Sequence, residues 1–96
     1  MWAYVVVRTF KDDAPDMLLY WNYLDALGKF NEYLGEYITT DIEDEGLKPE
    51  ESAKNLTFEY LDTKDKLGNS LPICYDDNVE WYIDYIKIKW QHWLRQ

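Results

Sequence analysis

Twelve carboxylates lie between Asp12 and Glu51, where the only bases are Lys29 and Lys48, leaving a formal −10 on this stretch of a chain whose net charge is −9. Like charges packed this closely repel one another and cost folding free energy. A chain that keeps them uses the field to turn away nucleic acid or to attract a basic partner. The simple structural account is a solvated helix face through Asp25, Glu32 and Glu36, followed by a polar loop holding Asp41, Glu43, Asp44 and Glu45. A surface kept only for solubility usually mixes its signs, and this one does not. Carboxylates one helical turn apart stand about 5–6 Å from each other, comparable with neighbouring phosphates, so a rigid array of them can fill a basic groove.

The same segment partly matches the calcium loop of the EF-hand. Asp41, Glu43, Glu45 and Gly46 fall at the first, third, fifth and sixth positions of such a loop. The twelfth position is then Ser52 instead of a bidentate Glu, and the eighth is Lys48 instead of an apolar residue, so calcium is not expected. A single Cys and a single His cannot assemble a Cys/His zinc site either.

Catalysis finds little material. His92 stands among Trp90, Trp93 and Arg95, where a packed or surface imidazole is the simpler account than a general base. Cys74 follows Pro72-Ile73 in an apolar run, a setting that raises a thiol pKa and suits core packing. Asp76, Asp77, Glu80 and Asp84 offer carboxylates, but nothing nearby selects an acid and a base from among them. Without a nucleophile–base pair, a metal cluster or a Gly-rich phosphate loop, the expectation is a protein that is not an enzyme and uses no cofactor.

Trp81, Tyr85, Trp90 and Trp93 have two roles open to them. In a small domain they are most simply core; any left exposed would be interface anchors. Lys87, Lys89 and Arg95 beside stacking rings resemble a single-strand-binding pattern, which the net charge opposes.

Trp2 to Phe10 is rich in aromatic and β-branched residues, and Val5-Val6-Val7 is too apolar for a strand with one wet face; it is expected inside a sheet. Lys11 to Asp16 is turn chemistry, after which Met17 to Trp21 either returns as a hairpin partner or opens a helix. Asn22 is an N-cap for a helix to about Thr39, with Leu24, Leu27, Phe30, Leu34 and Ile38 on the core face and Asp25, Lys29, Glu32 and Glu36 opposite. Gly28 and Gly35 cost about 1 kcal/mol each there, implying close approach to a sheet or a weaker second half.

Thr39 to Ser52 loses periodicity and reads as a loop with room for one short helical turn. Asn55 to Asp62 alternates as a strand does, although a helix through Ala53, Leu56, Tyr60 and Leu67 also fits; the strand is favoured. Leu71 to Tyr75 is a short strand, and Val79 to about Lys89 a second, since Tyr, Ile and Trp outweigh a competing helical period.

A 96-residue chain holds one domain, which buries only about two-thirds of its unfolded surface and needs a dense core. Five Trp, nine Tyr and three Phe supply it. The fold class expected is α+β: a small antiparallel sheet packed against one main amphipathic helix. Met1-Trp2-Ala3-Tyr4 does not begin a signal peptide or a transmembrane helix, so a cytoplasmic location is expected.

In its size, its single Cys, its acidic segment from Asp25 to Glu51 and its aromatic strands, the chain resembles a class: the small acidic inhibitors that phages carry against bacterial defence, anti-CRISPR proteins and DNA mimics among them. That class shares no fold and no signature, so the resemblance assigns no residue a role. It implies an inhibitor acting by protein–protein interaction. The acidic residues supply the surface: Asp25, Glu32, Glu36, Asp41, Glu43, Asp44 and Glu45 are expected to dock into a basic, nucleic-acid-binding site on another protein, with no direct contact to nucleic acid or membrane. The rivals are a homo-oligomeric structural protein and a small-ligand or metal-binding domain of a phage or bacterium.

Overall fold

Strand β1 (Trp2–Phe10) turns through Lys11 to Pro15 into β2 (Asp16–Tyr20). The turn needs a left-handed residue and places Asp12 there at φ 69, a conformation that Asp tolerates because its short side chain bonds locally. Next come α1 (Tyr23–Glu45), α2 (Pro49–Lys54), β3 (Thr57–Lys64), β4 (Ser70–Tyr75) and β5 (Val79–Lys87). This is a computed structural model that describes residues 1–89. His92, Trp90, Trp93 and Arg95 lie outside the described residues.

The five strands form one antiparallel sheet in the order β2-β1-β5-β4-β3. The apolar β1 is interior, paired along its whole length with β5 and flanked by β2. The α+β architecture is therefore as expected, with Met17 to Tyr20 as the hairpin partner and the segment after Asn55 as a strand.

Register sorts the side chains. Tyr4, Val6 and Arg8 of β1 stand opposite Tyr85, Ile83 and Trp81 of β5. With Leu71, Cys74 and Val79 from the sheet, Tyr4, Val6, Trp81 and Ile83 meet Ala26, Phe30 and Tyr33 of α1 in one core. Val5 and Val7 point to the other side of the sheet, beside Leu19 and Met17, and are only 6% exposed.

The helix corrects the expected stripe. Phe30 of that stripe is buried and Leu27, Leu34 and Ile38 are half-buried, but Leu24 is 70% exposed, and Ala26 and Tyr33 are buried with Tyr37 half-buried beside them. Tyrosine competes with leucine for the core because its ring fills space while its hydroxyl reaches a partner: Tyr23 donates to the Ser70 carbonyl at 2.9 Å and Tyr37 to Asp76 at 2.8 Å. Asn22 caps the helix as expected, accepting from the Leu24 and Asp25 amides.

The second correction is length. Residues 39–52 are not a loop: α1 continues to Glu45, and Pro49 opens α2. Gly46 ends α1 at φ 68, its N–H donating back to the Asp41 carbonyl. Ser52 of α2 is fully buried and its hydroxyl donates to Asp41, tying α2 to α1.

Candidate partner-binding surface

Because α1 is unbroken, the order of its acids along the chain becomes an order in space. Asp25, Glu32, Glu36 and Glu43 are separated by about two turns, one turn and two turns, which sets them in one straight line about 27 Å long. All four are exposed. Asp44 and Glu45 follow Glu43 around the last turn, also exposed, and no basic residue stands in that turn. Asp41, expected in the same surface, is half-buried on another side of the helix and accepts from Ser52; it belongs to the packing of α2.

The line is not uniformly free. Glu36 accepts from Arg8 of β1 at 2.6 Å, and Arg8 also reaches Asp16 of β2 at 3.2 Å. The guanidinium lies over the Tyr33 ring with its carbon 3.9 Å from the centroid, so the bridge pins α1 to the sheet. Burial lowers the Arg8 pKa, but hydrogen bonds to Glu36 and Asp16 outweigh it and leave the pKa raised. Glu32 pairs with Lys29 at 3.1 Å, an exposed contact of small energetic weight. Asp25, Glu43, Asp44 and Glu45 form no ion pair among the described residues.

The charge in the last turn opposes the helix. Partial negative charge accumulates at the C-terminal carbonyls of a helix, so acids there are unfavourable and lysines favourable. Asp25 in the first turn has the opposite, favourable relation to the dipole.

Asp76, Cys74 and Trp81 make structural contacts. Asp76 accepts from the Asn78 and Val79 amides and from Tyr37, which makes it a turn residue. Cys74 is 1% exposed, and burial pushes its thiol up to about 11. Asp41, Glu43 and Glu45 are helical, and a helix cannot wrap its side chains around calcium as an EF-hand loop does. Trp81 is core at 1% exposure, while Tyr85 is half-buried and stacks on Trp2 at 4.9 Å.

Sequence reasoning did not anticipate Asp65. This carboxylate, 6% exposed, accepts from Tyr4 at 2.6 Å, from the Leu67 and Asn69 amides and from the Asn69 side chain. Burial raises its pKa, yet these donors outweigh it and hold the carboxyl below its ordinary value. The signal was Asp65-Lys66-Leu67-Gly68-Asn69, a turn sequence opened by an Asp.

No helix among the described residues is long and apolar enough to cross a membrane. Comparison of the chain with protein families, with curated proteins and with solved structures found no match. What the fold and surface define is a class: an α+β domain whose long helix α1 sets four acids in line.

Proposed function

We propose that this protein is a non-enzymatic acidic inhibitor that docks the exposed side of α1 into the basic, nucleic-acid-binding site of another protein. The observation that carries the reading is the continuity of α1, which aligns Asp25, Glu32, Glu36 and Glu43 and adds Asp44 and Glu45 at one end. A line of carboxylates about 27 Å long has the sign and reach of a short stretch of nucleic-acid backbone. A second support is energetic: the acids of the last turn are kept against the helix dipole and against an already negative chain. In this reading the protein is cytoplasmic, of the kind a phage uses against a host defence complex, and it blocks by occupancy.

The test is competition. Partner captured from host lysate is loaded with labelled duplex DNA, and the protein should displace that DNA at about 0.05 M salt and far less at about 0.5 M salt. Equal displacement at both concentrations would transfer the interface to apolar contacts. Met17 and Leu19, 63% and 41% exposed on the other side of the sheet, favour the alternative of self-association, which light scattering would detect as a salt-resistant oligomer.

A further inference from the structure

The sheet has two edges, β2 and β3. A short edge offers little to pair with, and β2 is five residues long, whereas β3 runs for eight. Every second residue of an edge strand turns its N–H and C=O outward, and among the described residues no strand pairs with that side of β3. Its register with β4 is regular from Thr57 to Tyr60 and shifts before Lys64, so the open stretch is Thr57 to Tyr60. Helix α1 packs mainly over β1, β2 and β5, with β3 beyond its flank. Phe58 and Tyr60, on the α1 side of the sheet, are accordingly 52% and 60% exposed; they stand edge-on to each other at 5.2 Å, and Phe58 stands edge-on to Phe30 at 6.3 Å. Acids outnumber bases around the stretch. Glu59 and Asp62 are exposed, and where β3 begins a groove of about 380 Å³ is lined by Glu45, Thr57, Asp76 and Asp77 among others. Lys54 and Lys64 flank the stretch in sequence, and neither forms an ion pair among the described residues.

We propose that Thr57 to Tyr60 is a docking edge for an extended segment of a partner protein in which basic and apolar residues alternate. The segment adds a strand beside β3 through its backbone. Successive side chains of a strand point to opposite faces, so its apolar residues lie against Phe58 and Tyr60 on the α1 side, and its bases answer Glu59 on the other side and the acids of the groove. An extended chain is favoured over a helix because only it can use the outward N–H and C=O groups of β3. Aromatic rings beside the free edge supply the anchors that backbone pairing alone lacks. Glu45 is shared with the acidic surface proposed above, so the test changes no residue of α1.

The experiment titrates the whole isotope-labelled chain with a capped hexapeptide in which Arg and Val alternate. Nuclear magnetic resonance follows the backbone amides of Thr57 to Tyr60, and hydrogen exchange reads their protection. The peptide should shift these signals saturably and slow the exchange of the amides that turn outward. Two control peptides should bind at least about tenfold more weakly: one N-methylated throughout, which keeps every side chain but donates no backbone hydrogen bond, and one with Glu in place of Arg. Tyr60→Ser, at an exposed position, should weaken the parent peptide by about the same factor with the fold intact. Absence of a saturable shift would overturn the proposal, and so would equal binding of either control. Tighter binding of the same side chains on a stapled helix would overturn it in favour of a helical partner. Protection that appears without peptide and grows with protein concentration would overturn it in favour of a second copy of the chain. The comparison of peptides needs no variant, so the proposal stays open to refutation even if Tyr60→Ser folds poorly.

Discussion

Replacing Glu43, Asp44 and Glu45 together by lysine should make the protein more stable while removing its hold on a basic partner. A charge in the last helical turn is worth about 0.3–1 kcal/mol in the field of the helix dipole, and its sign decides the direction. Each replacement removes an unfavourable interaction and adds a favourable one. These side chains are exposed and water screens them, so the three sum to about 1–3 kcal/mol at low ionic strength. For a chain of 96 residues this raises Tm by roughly 5–20 °C. Thermal unfolding followed by circular dichroism at about 0.05 M and about 0.5 M salt reads the effect, and the gain should shrink at the higher concentration. The DNA-displacement assay reads the other half. A Tm that falls or stays level at low salt refutes the dipole argument, and a stabilised variant that still displaces DNA refutes the acidic surface. Glu36 is left in place, because a lysine there would sit beside Arg8 and confound folding with binding.

The helix glycines give a second prediction: a Cβ on Gly28 or Gly35 meets nothing within 4 Å, so each Gly→Ala change should stabilise by about 0.5–1 kcal/mol in urea titration, and a loss would show a contact that the geometry lacks. Tyr4→Phe removes the donor to buried Asp65 and should cost about 1–3 kcal/mol by the same titration. Because the folded pKa of Asp65 lies below its ordinary value, its contribution is complete above the ordinary carboxylate range, starts to fall as pH enters that range and is lost as pH falls on through the lower folded pKa. Asp65→Asn should therefore lose less stability on acidification than the parent, and parallel pH curves would contradict this. With its thiol at about 11 and 1% exposed, Cys74 should resist Ellman's reagent at pH about 8 until the chain is unfolded, whereas prompt labelling of the folded protein would place it at the surface.

The sequence by itself determined the class of fold. Val5-Val6-Val7 had to be interior to a sheet, Asn22 had to cap a helix and Lys11 to Pro15 had to turn, since each is dictated by local sterics, capping or burial on both faces. It also determined that charge would concentrate on one segment, which composition alone reveals. Tertiary structure decided which helix positions face the core. Leucine periodicity nominated Leu24, but the sheet offered space for aromatic rings, and Phe30, Tyr33 and Tyr37 took it while Leu24 stayed in water. It decided as well that the acids after Thr39 extend the helix, because Ser52 of α2 bonds to Asp41 and the Gly46 amide returns to the Asp41 carbonyl. The Gly46 bond is a local helix end, whereas the Ser52 bond joins two elements. A run of like charges is a poor helix by local preference, and only packing against a second element makes those turns hold and turns a list of acids into a line.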